Sequence, residues 1–172
     1  MKFTHLAIQD AGMLLDLLQA QLLGPTLQLS YTFCLSDVAL AALDAEMQQQ
    51  LAPHLAAEKV LVVESSEDDY VAVQELASQF PRLSTAEWSV YHLARTRKWP
   101  LLASCTCLYT WEYIPPMQLL NITWLVNELV EQAKLPKSKL AASIDKLMLV
   151  NHRLKSECDA LKKVLRTRQP VS

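Results

Sequence analysis

A chain of 172 residues, 51% of them hydrophobic, can bury one substantial core but scarcely two, so a single domain is expected. Its two glycines, Gly12 and Gly24, are too few for a glycine-rich phosphate loop, which excludes nucleotide binding through G-x-G-x-x-G or G-x-x-x-x-G-K. The net charge of −2 hides an asymmetry, since residues 1–133 carry 6 basic and 15 acidic side chains whereas residues 134–172 carry 10 and 3.

In chain order, residues 2–8 mix aromatic, Thr and aliphatic side chains and read as a strand. Gln9 and Asp10 then interrupt the apolar run before a signal-peptide core or membrane span could form, so a soluble, cytoplasmic protein without membrane contact is expected. Leu14, Leu15, Leu18 and Leu22 recur at helical spacing. LSYTFCL at 29–35 is a second strand, and Ser36-Asp37 offers an N-cap to the helical run VALAALDAEMQQQL. KVLVVE at 59–64 is a short apolar run of the kind buried in a parallel sheet, and SSEDD leads from it into a helix over 68–79. LSTAEWSVYHLARTRKW forms an amphipathic helix capped by Ser84, and PLLAS is a fourth buried strand. TWEYIPP at 110–116 suits a short edge strand closed by prolines.

Beyond Pro116 the pattern is helical over 117–133, 137–150 and 156–168, the last opened by an S-x-x-D box at Ser156 and Asp159. Strands alternating with helices imply an α/β fold, a three-layer domain on a parallel sheet, with a core over 1–116 and a helical extension over 117–172 packed on the same domain. In the extension, Leu140, Ile144, Leu147, Met148, Leu154, Cys158, Leu161 and Leu165 define an apolar face. Lys137, Lys139, Lys146, Lys155, Lys162 and Arg166 fall largely outside it, as a solvated surface or one for an acidic protein or RNA.

Ligands of parallel sheets gather at the carboxyl ends of the strands, where Asp10, Ser36-Asp37, Glu87 and Cys105 fall. Asp10 and Asp37 both occupy N-cap positions, and Glu87 completes a capping box with Ser84, so each carboxylate has a structural reading beside a functional one. Cys34, Cys105, Cys107 and Cys158 have no C-x-x-C spacing and imply no disulfide framework. No Lys, Arg or His adjoins Cys105 in sequence to activate its thiol. The four histidines, at 5, 54, 92 and 152, have no ligand or triad spacing, and Trp88, Trp99, Trp111 and Trp124 read as core or interface anchors.

Three stretches, DAGMLLDLL at 10–18, LSTAEWSVYHLARTRKWPLLAS at 83–104 and the tail WLVNELVEQAKLPKSKLAASIDKLMLVNHRL, together resemble the PIN domain family. These are small α/β nucleases that include the ribonucleases of bacterial toxin–antitoxin pairs, and the tail is similar to the helical extension of one bacterial subgroup. The resemblance implies a site of three or four carboxylates around one or two Mg²⁺ or Mn²⁺ ions, because hard cations want oxygen ligands and activate water for phosphodiester attack. Asp10 matches the first acid, and Glu87 stands where the family has aspartate. Ala41 and Ala42 fall where the second acid is expected, and Cys105 replaces the last.

A thiolate there would favour zinc, yet Asp10, Glu87 and Cys105 make an unusual zinc set. The expectation is a PIN-like protein, impaired or inactive as a nuclease, that binds a protein partner, as an antitoxin would be, or a nucleic acid, or a second copy of itself. The rival is an active Mg²⁺- or Mn²⁺-dependent endoribonuclease using Asp10, Glu87 and a substitute acid such as Asp37.

Overall fold

The computed structural model describes residues 3–103, 117–133 and 135–167. The TWEYIPP strand, Cys105, Cys107 and Trp111 lie outside the described residues.

The chain runs β1 (His5–Ile8), α1 (Ala11–Gln19), α2 (Leu23–Thr26), β2 (Thr32–Ser36), α3 (Asp37–Ala41), α4 (Ala45–Ala56), β3 (Val60–Val63), α5 (Glu67–Gln79) and α6 (Thr85–Arg97). Then come β4 (Leu101–Leu102), β5 (Leu119–Leu120), α7 (Ile122–Glu131), α8 (Lys137–Val150), a 3₁₀ turn (His152–Leu154) and α9 (Lys155–Thr167). The fold is α/β, a five-stranded all-parallel sheet in the order β3-β2-β1-β4-β5, flanked by helices. Leu6 lies opposite Phe33, Cys34 opposite Leu61, and Ile8 opposite Leu102. Leu6, Ala7, Ile8, Phe33, Leu35, Leu101 and Leu102 are wholly buried, which is why these short strands read as unbroken apolar runs.

The chain winds outward from β1 to β3 and then returns to β4 on the other side of β1. Right-handed crossovers therefore send α1 and α4 to one face and α5 and α6 to the other. The reversal between β1 and β4 is a topological switch point, and it opens a crevice at the carboxyl ends of those strands. On the α5–α6 face Trp88 is 1% exposed, with its indole N–H donating to the Phe80 carbonyl at 3.0 Å. Burial pushes the Cys34 thiol up to about 12 and the Cys158 thiol up to about 11, so both act as small hydrophobes.

Three local expectations are corrected. The segment expected to be helical from 117 first adds Leu119–Leu120 to the sheet beside β4, and the helix starts only at Ile122, where the Asn121 side chain accepts from the Trp124 N–H at 2.9 Å. The helix after β2 is broken, because Asp44 caps a new helix by accepting from the Met47 N–H at 2.8 Å. The Gln48 amide holds that break by donating to the carbonyls of Leu40 and Leu43. The last helix begins at Lys155, which places Ser156 within its first turn, and the cap upstream is Asn151, accepting from the Arg153 N–H at 3.1 Å.

The C-terminal helices pack on the sheet domain. α8 lies on α1, where the Asn151 amide donates to the Asp16 carboxylate at 2.7 Å, and the Tyr31 hydroxyl donates to Glu128 of α7 at 2.8 Å. Leu140, Ile144, Leu147, Leu154, Cys158 and Leu161 are buried, while Lys139, Lys146 and Lys155 are exposed. Lys162 is paired with Asp145.

Candidate functional site

Asp10 follows β1 directly. The strand is prolonged by the Gln9 N–H, which donates to the Leu102 carbonyl at 2.9 Å, so Asp10 emerges at the switch point with extended backbone. Its Oδ1 accepts from the Gly12 N–H at 2.8 Å, capping α1. A side chain at position 12 would bring its Cβ to 3.1 Å from that oxygen, which accounts for glycine there.

Glu87 arrives from the other crossover. Its Oε2 accepts from the Ser84 N–H at 2.8 Å and the Ser84 hydroxyl at 2.9 Å, and Ser84 Oγ accepts from the Glu87 N–H at 3.2 Å. That reciprocal box starts α6. Each acid thus commits one carboxylate oxygen to the start of a helix.

The structure brings Asp10 and Glu87 into one cleft of about 540 Å³ at the carboxyl ends of the strands. Ala42 lines the same cleft, at the position where the resemblance leads one to expect an acid. Arg153, from the 3₁₀ turn of the extension, lines it as well. Gln9 completes the floor: it is 1% exposed, and among the described residues neither its Oε1 nor its Nε2 finds a partner. An unpaired buried amide costs about 1–3 kcal/mol, an expense that persists at sites where the group serves a ligand.

Asp16 lies close enough to feel the Asp10 charge. Burial raises its pKa above the usual carboxylate range, the Asn151 hydrogen bond opposes that rise, and the charge on Asp10 adds to it.

Asp37 stands apart from this cleft. Its Oδ1 accepts from the Ser65 hydroxyl at 2.6 Å, the Val38 N–H at 2.9 Å and the Ser65 N–H at 3.2 Å, and its Oδ2 accepts from the Tyr70 hydroxyl at 2.9 Å. Burial works to raise its pKa, but the hydrogen bonds from Ser65, Tyr70 and the backbone outweigh it and hold the carboxyl below its ordinary value. Asp37 ties the end of β2 to the loop after β3.

Donor chemistry decides the fit to a divalent cation. Mg²⁺ and Mn²⁺ want about six oxygen ligands, whereas the cleft offers two carboxylates already engaged as caps, with an alanine and an arginine beside them. No group of three or more His, Cys, Asp or Glu suited to a metal occurs among the described residues. The described residues therefore do not fit the ion.

A second polar group sits between α5 and α6. His92 Nε2 meets Asp69 Oδ1 at 2.8 Å, and the Ser36 and Ser89 hydroxyls meet at 2.6 Å, around a space of only about 50 Å³. The Ser66 hydroxyl and N–H, and then His92, lower the Asp69 pKa to about 2. The hydroxyls are spent on structure, since Ser89 donates to the Ala86 carbonyl and Ser36 caps α3. His92 thus gains a partner that sequence spacing did not reveal.

Gln9, Asp16 and Arg153 were missed from sequence. Gln9 carried a signal in its position beside Asp10, but Arg153 is far along the chain and reaches the cleft only because α8 docks on α1. No family model matches the chain, and no curated protein or solved structure matches it either.

Proposed function

We propose that the protein is a PIN-like domain, related to metal-dependent ribonucleases but impaired as a nuclease, that acts by binding a protein or nucleic-acid partner. The composition of the cleft carries this reading: two carboxylates engaged as helix caps, Ala42 where a third acid would complete the ligand set, and the fixed charge of Arg153. An arginine in the lining of the same cleft disfavours a divalent cation and suits a phosphate or carboxylate of a partner. The unpaired Gln9 amide adds an NH₂ donor group and a carbonyl acceptor to the same lining.

The test compares the wild type with the double variant Ala42→Glu, Cys105→Asp in Mn²⁺- and Mg²⁺-dependent cleavage of single-stranded RNA. Little cleavage is expected from the wild type, and a gain of about tenfold or more from the variant, since metals supply the transition-state stabilisation. Robust wild-type cleavage lost in Asp10→Asn would overturn the reading in favour of the toxin-type endoribonuclease. Equilibrium binding to uncleaved RNA, weakened in Arg153→Glu, would assign the partner as nucleic acid.

A further inference from the structure

At the opposite end of the sheet, where β1, β4 and β5 begin, lies a second cavity of about 470 Å³ that the cleft reading does not use. Its size is that of a small-molecule pocket. Arg95 and Lys98 line it from the end of α6, and His5 lines it from the start of β1. Among the described residues no carboxylate lines this cavity, and neither Arg95 nor Lys98 is in a salt bridge. The placement is pointed, because residues 1–133 contain only 6 basic side chains among 15 acidic ones. Two of the six converge on this cavity.

Phe3 and Trp99 supply aromatic rings to the remaining wall, and neighbouring rings hold them firm. Trp99 stacks on His5 with centroids 5.1 Å apart and planes at 13°, and Phe3 stacks on Tyr31 at 5.1 Å and 22°. Trp124 closes on both Phe3 and Tyr31. The backbone beneath belongs to the sheet, since the carbonyls of Pro100 and Gln118 accept from the N–H groups of Ala7 and Leu101, both at 2.9 Å. Lys98 is fixed in left-handed backbone, φ 56°, by the turn that ends α6. The negative end of α6 gives one reason for cations at its last turn. It gives none for their meeting Phe3, Trp99 and Met117 around a concave surface.

We propose that this cavity binds a nucleotide, its phosphate held by Arg95 and Lys98 and its base packed against the aromatic wall. Within the described lining the two cations face no carboxylate, although Arg95 also borders a groove that holds Glu75. Such cations favour a phosphate, while aromatic rings in the wall favour a flat heteroaromatic ring without demanding one base. The ligand is either a free mononucleotide or the phosphorylated end of an oligonucleotide. The site stands independently of the Asp10–Glu87 cleft.

Isothermal titration of the full chain with AMP, GMP, CMP and UMP, and with a 5′-phosphorylated tetranucleotide, tests the assignment. Binding of at least one probe is expected, and the pair Arg95→Gln, Lys98→Asn should weaken it about tenfold or more, asparagine being suited to the left-handed backbone. Trp99→Leu should weaken it by several-fold as well, and Lys59→Glu, exposed elsewhere, should leave it unchanged. Saturation by a mononucleotide marks the free ligand, and response to the tetranucleotide alone marks a strand end. No heat from any probe, or binding that the Arg95→Gln, Lys98→Asn variant retains with its unfolding temperature unaltered, overturns the proposal. If Trp99→Leu unfolds, Trp99→Phe supplies the aromatic test.

Discussion

Replacing Asp10 distinguishes a helix cap from a metal ligand, because a cap needs only an oxygen acceptor whereas a tight Mg²⁺ ligand needs the carboxylate charge. The Asp10 carboxylate accepts one backbone N–H, from Gly12 at 2.8 Å, at the start of α1. Asp10→Ala removes that acceptor and should lower stability by about 1 kcal/mol, while Asp10→Asn retains it and should stay within about 0.5 kcal/mol of the wild type. For a domain of this size each kcal/mol moves the unfolding midpoint by roughly 2–4 °C.

Magnesium supplies the second axis. A site with a dissociation constant of about 10 μM would be stabilised by roughly 4 kcal/mol at about 10 mM Mg²⁺, whereas a site of about 10 mM gains only about 0.4 kcal/mol. Thermal unfolding with and without Mg²⁺ should therefore show a shift of about 2 °C or less, the same in the wild type and in Asp10→Asn. A wild-type rise of roughly 8–16 °C that disappears in Asp10→Asn would refute the argument, since a neutral cap cannot produce it.

Asp69→Asn should cost about 1 kcal/mol near neutral pH through its weakened box with Ser66 and lost pairing with His92. Because the folded pKa of Asp69 is depressed to about 2 from an ordinary 3.8, its contribution is full above pH 3.8. It is lost as pH falls toward 2, so urea titrations of wild type and variant should converge there, and a gap that persists at low pH would contradict the assignment. Asp16 runs the other way: its raised pKa means that the folded state holds the proton more tightly and loses stability as pH rises through the carboxylate range. Asp16→Asn should flatten that fall and keep an acceptor for Asn151, and an unchanged pH profile in the variant would show that Asp16 is not its source.

What the sequence disclosed, and what it withheld, follows from how local each signal is. The strands at Leu6–Ile8 and Phe33–Leu35 were visible because burial within a parallel sheet forces a compact apolar run. Val60–Val63, expected to be buried too, lies at the sheet edge with only Val60 buried and Leu61 exposed. Leu119–Leu120 was hidden because two apolar residues just ahead of the helical pattern of α7 carry no period of their own. Only the partner strand at Leu101–Leu102 makes them sheet. The break between α3 and α4 was masked by alanines that continue a helix as readily as they leave one, and Asp44 decided the matter by capping.

The cleft divides in the same way. Asp10 and Glu87 could be expected there, since each follows a local rule about the end of a strand or the start of a helix, and the sheet order brings those rules together. The charge that now sits beside them could not. Arg153 belongs to a segment whose nearest fixed point is Asn151 on Asp16, a contact across 135 positions that exists only because α8 lies on α1. The extension thereby contributes to the cleft's lining: its docking brings Arg153 to the same cleft as two carboxylates and sets the Asn151 amide on a third, Asp16, whose burial already favours the proton. On the function proposed above, a cleft lined by both acidic and basic groups suits a ligand that offers both signs, and a bare cation would meet only half of it.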